Sequence, residues 1–155
     1  MRVIVIGGVA GGMSAATRLR RLDESAEIIV LEKSGHVSYA NCGLPYYVGG
    51  VIENEKDLLL QTPASLHARF RLDVRVSTEV LAINPSKKVV AIKNLITGET
   101  SELDYDKLIL SPGASPVVPP IPGIERGMTL RTVEDVEKID ASVGKKPASA
   151  VVIGG

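Results

Sequence analysis

The chain has few of the residues that mark disulfide-rich, nucleic-acid-binding or membrane-surface proteins. Its 155 residues include one cysteine, one phenylalanine and no tryptophan, and only 3% are aromatic. A single cysteine cannot form an internal disulfide, and scarce aromatic residues argue against base stacking on single-stranded nucleic acid. The 18 basic residues equal the 18 acidic ones. This balance provides no general basic surface for nucleic acids or lipid headgroups.

The sequence also lacks long hydrophobic segments and the features of a signal peptide. No apolar run approaches the roughly 20 residues of a transmembrane helix. Met1 and Arg2 lead directly into a predicted strand, without a cleavage region. Together with the single cysteine, these features favour a reducing compartment, and we expect a cytoplasmic protein without a membrane partner.

The first 32 residues have the pattern of a βαβ unit. A β-branched run, Arg2–Ile6, predicts a strand buried on both faces, and the glycine-rich segment Gly7–Gly12 follows it. A helix is predicted from about Met13 to Leu22. A second strand, Glu27–Leu31, then ends in Glu32. This order predicts an α/β domain with a parallel sheet.

The same order fits a dinucleotide-binding site. Glycines let backbone N–H groups approach a pyrophosphate, the helix N-terminus stabilises its charge, and a terminal acid accepts hydrogen bonds from ribose hydroxyls. The pattern departs from the usual one at Val9, which stands at the position of the middle glycine. A turn that only packs the strand against the helix is the alternative interpretation.

The only cysteine lies in the segment Ser38–Tyr47, Ser-Tyr-Ala-Asn-Cys-Gly-Leu-Pro-Tyr-Tyr. Asn41 is a good helix N-cap, Pro45 is tolerated in a first turn, and Gly49-Gly50 is a plausible stop. We therefore expect Cys42 at the N-terminus of a short helix, where unpaired N–H groups and the helix dipole favour a thiolate. A buried structural cysteine is the alternative.

The middle of the chain predicts a helix and then an antiparallel meander. Thr62 caps the helix, which begins at Pro63 and runs to about Phe70, and residues 53–60 before it predict a short helix or a loop. The predicted strands of the inserted meander are Val74–Val76, Val80–Ile83, Lys88–Ile92 and Thr100–Leu103.

A further buried strand, Asp106–Leu110, ends in the small residues Ser111–Ala114, which can let a ligand approach the edge of the sheet. The proline-rich segment Ser115–Pro122 predicts a linker, and Thr132 caps an amphipathic helix that runs to about residue 143. Ala150–Gly155 repeats the opening of the chain and predicts the first strand of a second nucleotide-binding unit. The chain is thus interpreted as an N-terminal fragment.

With these residues in place, the sequence resembles the FAD-dependent pyridine nucleotide-disulfide oxidoreductases. The resemblance runs the whole length and is greatest to the single-cysteine branch of coenzyme A-disulfide reductases and their rhodanese-fused relatives, some of which reduce persulfides or polysulfide. Its most specific part is Ser38–Tyr46. Gly7–Gly12 also fits, because this branch commonly lacks the middle glycine.

The resemblance implies a Rossmann-like FAD-binding domain with the inserted meander over residues 1–116. Residues 117–155 would be the linker and the start of an NAD(P)-binding domain. It also implies a homodimer, electrons from NAD(P)H, and a coenzyme A disulfide or persulfide as substrate. Cys42 would lie against the flavin and exchange between a thiolate and a mixed disulfide with coenzyme A.

The resemblance further implies roles for individual residues. The FAD pyrophosphate would be held by Gly7, Gly8, Val9, Ala10, Gly11 and Gly12. The adenosine would be held by Glu32, Lys33 and the backbone of Val80. The flavin would be bordered by Ser111, Pro112, Gly113 and Ala114. The family positions for the coenzyme A substrate are matched by Ser14, Arg18, Arg21, Ser38 and Asn41, and Arg71 is a further candidate.

Spacing alone places Ser14, Arg18 and Arg21 on one helix face, which would suit a phosphorylated adenosine group. A solvated basic face is the alternative. His36 and His67 have no partner at metal-ligand spacing, and one cysteine makes no zinc site, so we expect no metal.

Two other functions remain open on the sequence. The first is an NAD(P)H oxidase or peroxidase in which Cys42 cycles through a sulfenic acid. Asn41 before the cysteine and the Gly-Leu-Pro-Tyr segment after it favour the disulfide reductase. The second is a non-catalytic flavin-binding piece, and we expect the 155 residues expressed alone to bind FAD weakly and to show no turnover.

Overall fold

The computed structural model describes residues 1–144 and 149–153. The chain divides into two compact units, Met1–Ala40 with Leu59–Ala114, and Asn41–Leu58 with Ser115–Gly155. The strands are β1 (Arg2–Ile6), β2 (Glu27–Leu31), β3 (Asp73–Arg75), β4 (Thr78–Asn84), β5 (Val89–Asn94), β6 (Thr100–Asp104) and β7 (Lys107–Leu110). The helices are α1 (Ala10–Leu22), α2 (Leu44–Val48), α3 (Pro63–Phe70) and α4 (Val133–Val143).

The first unit is built on a four-stranded parallel sheet in the order β3-β2-β1-β7. Ile4, Val5 and Val30 are fully buried in its central strands, as expected for parallel strands that are covered on both faces. The observed bounds of β1 and β2 are the predicted ones. Because all four strands point the same way, the segments that follow β1, β2 and β7 meet at one edge of the sheet.

Three antiparallel strands, in the order β4-β5-β6, form the second sheet of this unit. Its inner face contributes Val90 and Ile92 to a cluster with Ile4, Ile29 and Leu31 of the parallel sheet. An antiparallel sheet of this kind can leave its other face to solvent. The mixed α/β architecture with an inserted meander is confirmed.

One predicted meander strand belongs elsewhere. Val74–Val76 was expected to pair antiparallel, but β3 pairs with β2 in parallel. Ser77, with φ 49°, then turns the chain before β4 begins. The expectation was wrong because a three-residue strand carries no local signal that identifies its partner.

Helices α1 and α3 pack against the opposite face of the parallel sheet, where Met13, Ala16 and Leu66 join its core. Helix α3 has the predicted bounds, because Thr62 and Ser65 form a reciprocal capping box. Helix α1 begins at Ala10, earlier than predicted, without a side-chain cap.

Arg20 is an exception on the buried face of α1. It is only 8% exposed, and its guanidinium donates to the carbonyl oxygens of Phe70 (2.8 Å) and Glu24 (2.7 Å). It also donates to the carbonyl oxygens of Asp23 (3.3 Å) and Arg71 (3.1 Å). Arg20 therefore joins the carboxyl ends of α1 and α3.

Replacing Arg20 with methionine should lower the free energy of unfolding by about 2–3 kcal/mol, because partly buried carbonyls lose their donors. Thermal denaturation of the intact protein (this chain with any further sequence it carries) measures the change. The matched control is Arg21→Met, since Arg21 is exposed and its loss should change stability by no more than about 0.5 kcal/mol. Equal melting temperatures for the two variants would contradict this role.

Residues 41–58, which contain Cys42 and which we call the cysteine segment, leave the first unit after Ala40, and the chain returns to it at Leu59. Tyr39 and Leu59 form an isolated antiparallel bridge at its two ends. Both bridging residues belong to the first unit.

The second unit contains α2 and α4, which pack against each other. Leu44, Val133 and Val136 are buried. Thr132 and Asp135 form a capping box at the start of α4, which confirms the predicted cap. Among the described residues, no helix is both long and apolar enough to cross a membrane.

Residues 149–153 have no regular secondary structure. A strand needs a neighbour to pair with, and the described chain provides none for this segment. The expectation that Ala150–Gly155 begins a second nucleotide-binding unit stays a prediction, and Gly154 and Gly155 lie outside the described residues.

Candidate functional site

The glycine turn after β1 is tightly packed at both ends. A Cβ atom on Gly7, whose φ is +98°, would lie 2.0 Å from the backbone oxygen of Ser111. A Cβ atom on Gly12 would lie 1.8 Å from the oxygen of Gly7. Real Cβ contacts are never so short, so neither position accepts a side chain without movement of the backbone. The two glycines let β1, the start of α1 and the segment after β7 approach one another.

Between these glycines the backbone presents unused donors. No N–H group of Val9, Ala10, Gly11 or Gly12 donates a hydrogen bond within the described part of the chain. The first turn of α1 also contains no acidic residue. Four free N–H groups at the start of a long helix suit an anion such as a pyrophosphate. Val9 has φ −103°, so the backbone at the position of the middle glycine does not need the positive φ that favours glycine.

Glu32 is held beside this turn. The residue is 9% exposed, and its Oε2 accepts a hydrogen bond from the Gly8 N–H at 2.6 Å. Its Oε1 accepts from the Ser34 N–H at 2.9 Å. The Gly8 oxygen in turn accepts from the Ser38 N–H at 2.8 Å. Glu32, the residue predicted to bind the ribose, therefore lies beside the predicted pyrophosphate site.

The residues predicted to bind the adenosine, Glu32, Lys33 and Val80, lie near one another. Lys33 forms an ion pair with Glu79 (Nζ–Oε1 2.7 Å), which precedes Val80 in β4. The Thr78 N–H donates to the Glu32 carbonyl oxygen at 2.9 Å, so β4 begins beside the end of β2. Glu79 has no sequence signal, because an exposed acid in a strand shows its partner only after folding.

The segment after β7 borders the same edge of the sheet. The Ser111 N–H donates to the Ile6 oxygen at 2.8 Å, and the Ser111 side chain lies near Gly11. Pro112, Gly113 and Ala114 continue from it and are exposed.

Two of the predicted substrate residues, Ser14 and Ser38, lie in one cleft of about 210 Å³ between α1 and α3. We call it the α1–α3 cleft. Arg18 and Arg21 are exposed and do not line it, and Arg71 lies at the C-cap of α3 with its Nη2 3.4 Å from the Glu24 oxygen. The other lining residues are Met13, Thr17, Gln61, Leu66, Arg69 and Phe70.

Asn41 and Cys42 belong to the second unit. They lie in a 3-10 turn, Asn41–Gly43, which leads directly into α2. The Cys42 side chain is exposed, so the alternative of a buried structural cysteine is wrong. Its position against a flavin stays a prediction, because Cys42 and the glycine turn lie in different units.

The expected N-cap is also wrong. Helix α2 begins at Leu44 with Gly43 at its N-cap position and no side-chain cap. Asn41 lies in the preceding 3-10 turn, so its side chain is not at the position that caps α2. The predicted stop is confirmed, since α2 ends at Val48 and the Gly49 N–H donates to the Pro45 oxygen.

The glycine turn and a buried acid on adjacent parallel strands are the geometry of a dinucleotide-binding domain. The pyridine nucleotide-disulphide oxidoreductase family matches residues 1–155. The chain belongs to this family. Enzymes of this family use FAD together with NAD(P)H.

Relatives within the family are similar over almost the whole chain. The coenzyme A disulfide reductase of Staphylococcus epidermidis is 41% identical over 154 residues, which are 99% of this chain and 35% of that protein. The crystal structure of reduced Bacillus anthracis CoADR-RHD is 53% identical, with a TM-score of 0.91, and the match covers 94% of this chain and 27% of that one. The NAD-dependent persulfide reductase from A. fulgidus is 41% identical, with a TM-score of 0.89 and the same coverage. The chain therefore spans about a third of the length of the curated relatives it matches.

Proposed function

We propose that the protein is an FAD-dependent NAD(P)H oxidoreductase that reduces coenzyme A disulfide, or a coenzyme A persulfide or polysulfide, with Cys42 as its redox-active thiol. The observation that carries this proposal is the exposed thiol of the chain's only cysteine. The first unit of the same chain contains a glycine turn with free N–H groups, which suits a dinucleotide. The similarity to a coenzyme A disulfide reductase and a persulfide reductase supports the substrate class.

The residues of the first unit fit FAD. The free N–H groups from Val9 to Gly12 would hold the pyrophosphate, together with the turn glycines Gly7 and Gly8. Glu32 would accept hydrogen bonds from the ribose, with Lys33 and Val80 beside the adenine. Ser111–Ala114 would border the flavin. Bound FAD supplies two electrons, taken from NAD(P)H, for the reduction of a disulfide.

Cys42 supplies the sulfur chemistry. Its thiolate attacks the disulfide of the substrate, forms a bond to one sulfur and releases the other half as coenzyme A thiolate. Two electrons then cleave the mixed disulfide, which releases the second coenzyme A and restores the Cys42 thiolate. A single cysteine suffices in this scheme, because the substrate provides the second sulfur of each disulfide.

We assign the substrate to Ser14, Arg18, Arg21, Ser38 and Asn41. The support is strongest for Ser14 and Ser38, which share the α1–α3 cleft. Arg18 and Arg21 extend the Ser14 face of α1 and are exposed. Arg71 has the least support, because its side chain lies towards Glu24.

Three further expectations stay predictions: the homodimer, the cytoplasmic location and the domain bounds 1–116 and 117–155. The division between the two units, at Ala114 and Ser115, lies close to the predicted domain boundary between residues 116 and 117.

Mass spectrometry of the intact protein as purified tests the proposal. We expect a coenzyme A adduct on Cys42 that reductant releases and that is absent from Cys42→Ser. The variant replaces only the sulfur with an oxygen. It therefore shows whether coenzyme A is attached through the Cys42 sulfur or is bound without a covalent bond. An adduct of one or two oxygens without coenzyme A would contradict the proposal and favour the oxidase or peroxidase.

A further inference from the structure

We propose that Arg69 and Gln61 are specificity-determining residues, which select a phosphate-bearing segment of the substrate in the α1–α3 cleft. This inference rests on the proposed function and deepens it. Neither residue was among the predicted site residues.

The cleft has an apolar floor and a polar rim. Met13, Leu66 and Phe70 supply the apolar surface, and Leu66 is buried at 2% exposure. Hydroxyl, amide and guanidinium groups line the rest, and no carboxylate is among the lining residues. A cleft with this lining favours a ligand rich in hydrogen-bond acceptors and negative charge.

Arg69 is the cation of the cleft. Its guanidinium carbon lies 5.1 Å from the centroid of the Phe70 ring, a distance at which the ring face attracts and orients the guanidinium. Arg69 makes no ion pair or hydrogen bond through its side chain within the described part of the chain. Its planar set of donors therefore remains available, and this geometry matches the oxygens of a phosphate.

Gln61 adds oriented donors. Its Oε1 accepts a hydrogen bond from the Ser65 Oγ at 2.9 Å, and Ser65 is itself fixed by the capping box of α3. The amide NH₂ group of Gln61 donates no hydrogen bond within the described part of the chain, so its two N–H donors remain for a ligand. Gln61 and Arg69 thus provide donors from the α3 side of the cleft, opposite Ser14 of α1.

The size of the cleft limits what it holds. A volume of about 210 Å³ is below the roughly 300–1,000 Å³ of a site for a drug-sized ligand. The cleft therefore takes one segment of a large substrate. Arg18 and Arg21, at i+4 and i+7 from Ser14, continue the positive charge along α1 beyond the cleft. A phosphate-bearing segment suits this distribution of cations.

Steady-state kinetics of the intact protein with two disulfides test the inference. Coenzyme A disulfide carries phosphorylated adenosine groups, and pantethine is the disulfide of the remaining pantetheine portion, without adenosine or phosphate. For Arg69→Gln we expect KM for coenzyme A disulfide to rise about tenfold, as for the loss of one charged hydrogen bond, while kcat stays within about twofold. KM for pantethine should not change, and Arg69→Lys should recover part of the loss.

Lys87→Met is the matched control, because it removes an exposed positive charge in the turn between β4 and β5, away from the cleft. An equal rise in KM for both disulfides would overturn the inference and make Arg69 a structural residue. An unchanged KM for both would overturn it as well.

A binding experiment separates this inference from the proposed function. If the wild-type protein reduces neither of these disulfides nor a coenzyme A persulfide or polysulfide, the proposed function fails, and calorimetry with adenosine 3′,5′-bisphosphate still tests the cleft. Binding by the wild type that weakens about tenfold in Arg69→Gln supports the inference. No binding by the wild type, or equal binding by both proteins, overturns it.

Discussion

Replacing Cys42 with serine should lower the turnover of coenzyme A disulfide by the intact protein roughly 10³-fold or more, the scale of losing the nucleophile in a covalent mechanism. A serine hydroxyl cannot form a mixed disulfide, so the substrate would have no covalent partner. Cys42 is exposed, so the substitution leaves no cavity and should change stability by no more than about 0.5 kcal/mol.

The two half-reactions should respond differently to Cys42→Ser. Reduction of the flavin by NAD(P)H should keep its wild-type rate, because the residues assigned to FAD lie in the first unit and Cys42 is not among them. Stopped-flow absorbance of the flavin follows this half-reaction, and a thiol assay follows the release of coenzyme A. Disulfide turnover by the variant within tenfold of wild type would show that the thiol is not the nucleophile.

Replacing Gly12 with alanine should have a large effect on the fold of the nucleotide site. The new Cβ would lie 1.8 Å from the Gly7 oxygen and 3.1 Å from the Val5 side chain. Because the nearest atom is backbone oxygen, relief requires a shift of the turn. We expect a loss of about 2–4 kcal/mol in the free energy of unfolding, together with loss of bound FAD.

Gly11→Ala is the neighbouring control. A Cβ atom there would meet only the Ser111 side chain, at 3.5 and 3.7 Å, which is ordinary contact. Alanine should also stabilise α1 by about 0.5–1 kcal/mol relative to glycine. Thermal denaturation of the two flavin-free proteins makes the comparison, and flavin content is measured separately. Similar melting temperatures would refute the packing role assigned to Gly12.

Much of the framework could be predicted because its signals are local. Uninterrupted β-branched runs set the bounds of β1 and β2, and a glycine after one and an acid after the other place the nucleotide site. Thr62 and Thr132 each begin a helix with a capping residue three positions later, so α3 and α4 begin at the predicted residues. Such features depend on neighbours within a few positions.

Features that depend on distant partners could not be predicted. The pairing of β3 with β2 and the ion pair between Lys33 and Glu79 join residues far apart in sequence. The α1–α3 cleft is another case, since Gln61 and Arg69 meet Ser14 only in the folded unit. The predicted N-cap of α2 at Asn41 was wrong because the 3-10 turn Asn41–Gly43 continues directly into α2.

The spacing of Arg20 along α1 indicates a buried position, although its residue type indicates an exposed one. Met13, Ala16 and Arg20 follow the spacing of one helix face, and all three are buried. An arginine at such a position is ordinarily assigned to solvent. Its burial depends on carbonyl oxygens from the end of α3, and the sequence does not place these beside α1.

The bridge between Tyr39 and Leu59 has a consequence for how such proteins can diversify. The cysteine segment begins and ends at one point of the first unit, so changes in its length or sequence need not alter the register of any strand. The parallel sheet with its glycine turn and the cysteine segment can therefore vary separately in sequence. If Cys42 carries the proposed chemistry, substitutions among residues 41–58 would change that chemistry and leave the strand pairing of the first unit as it is.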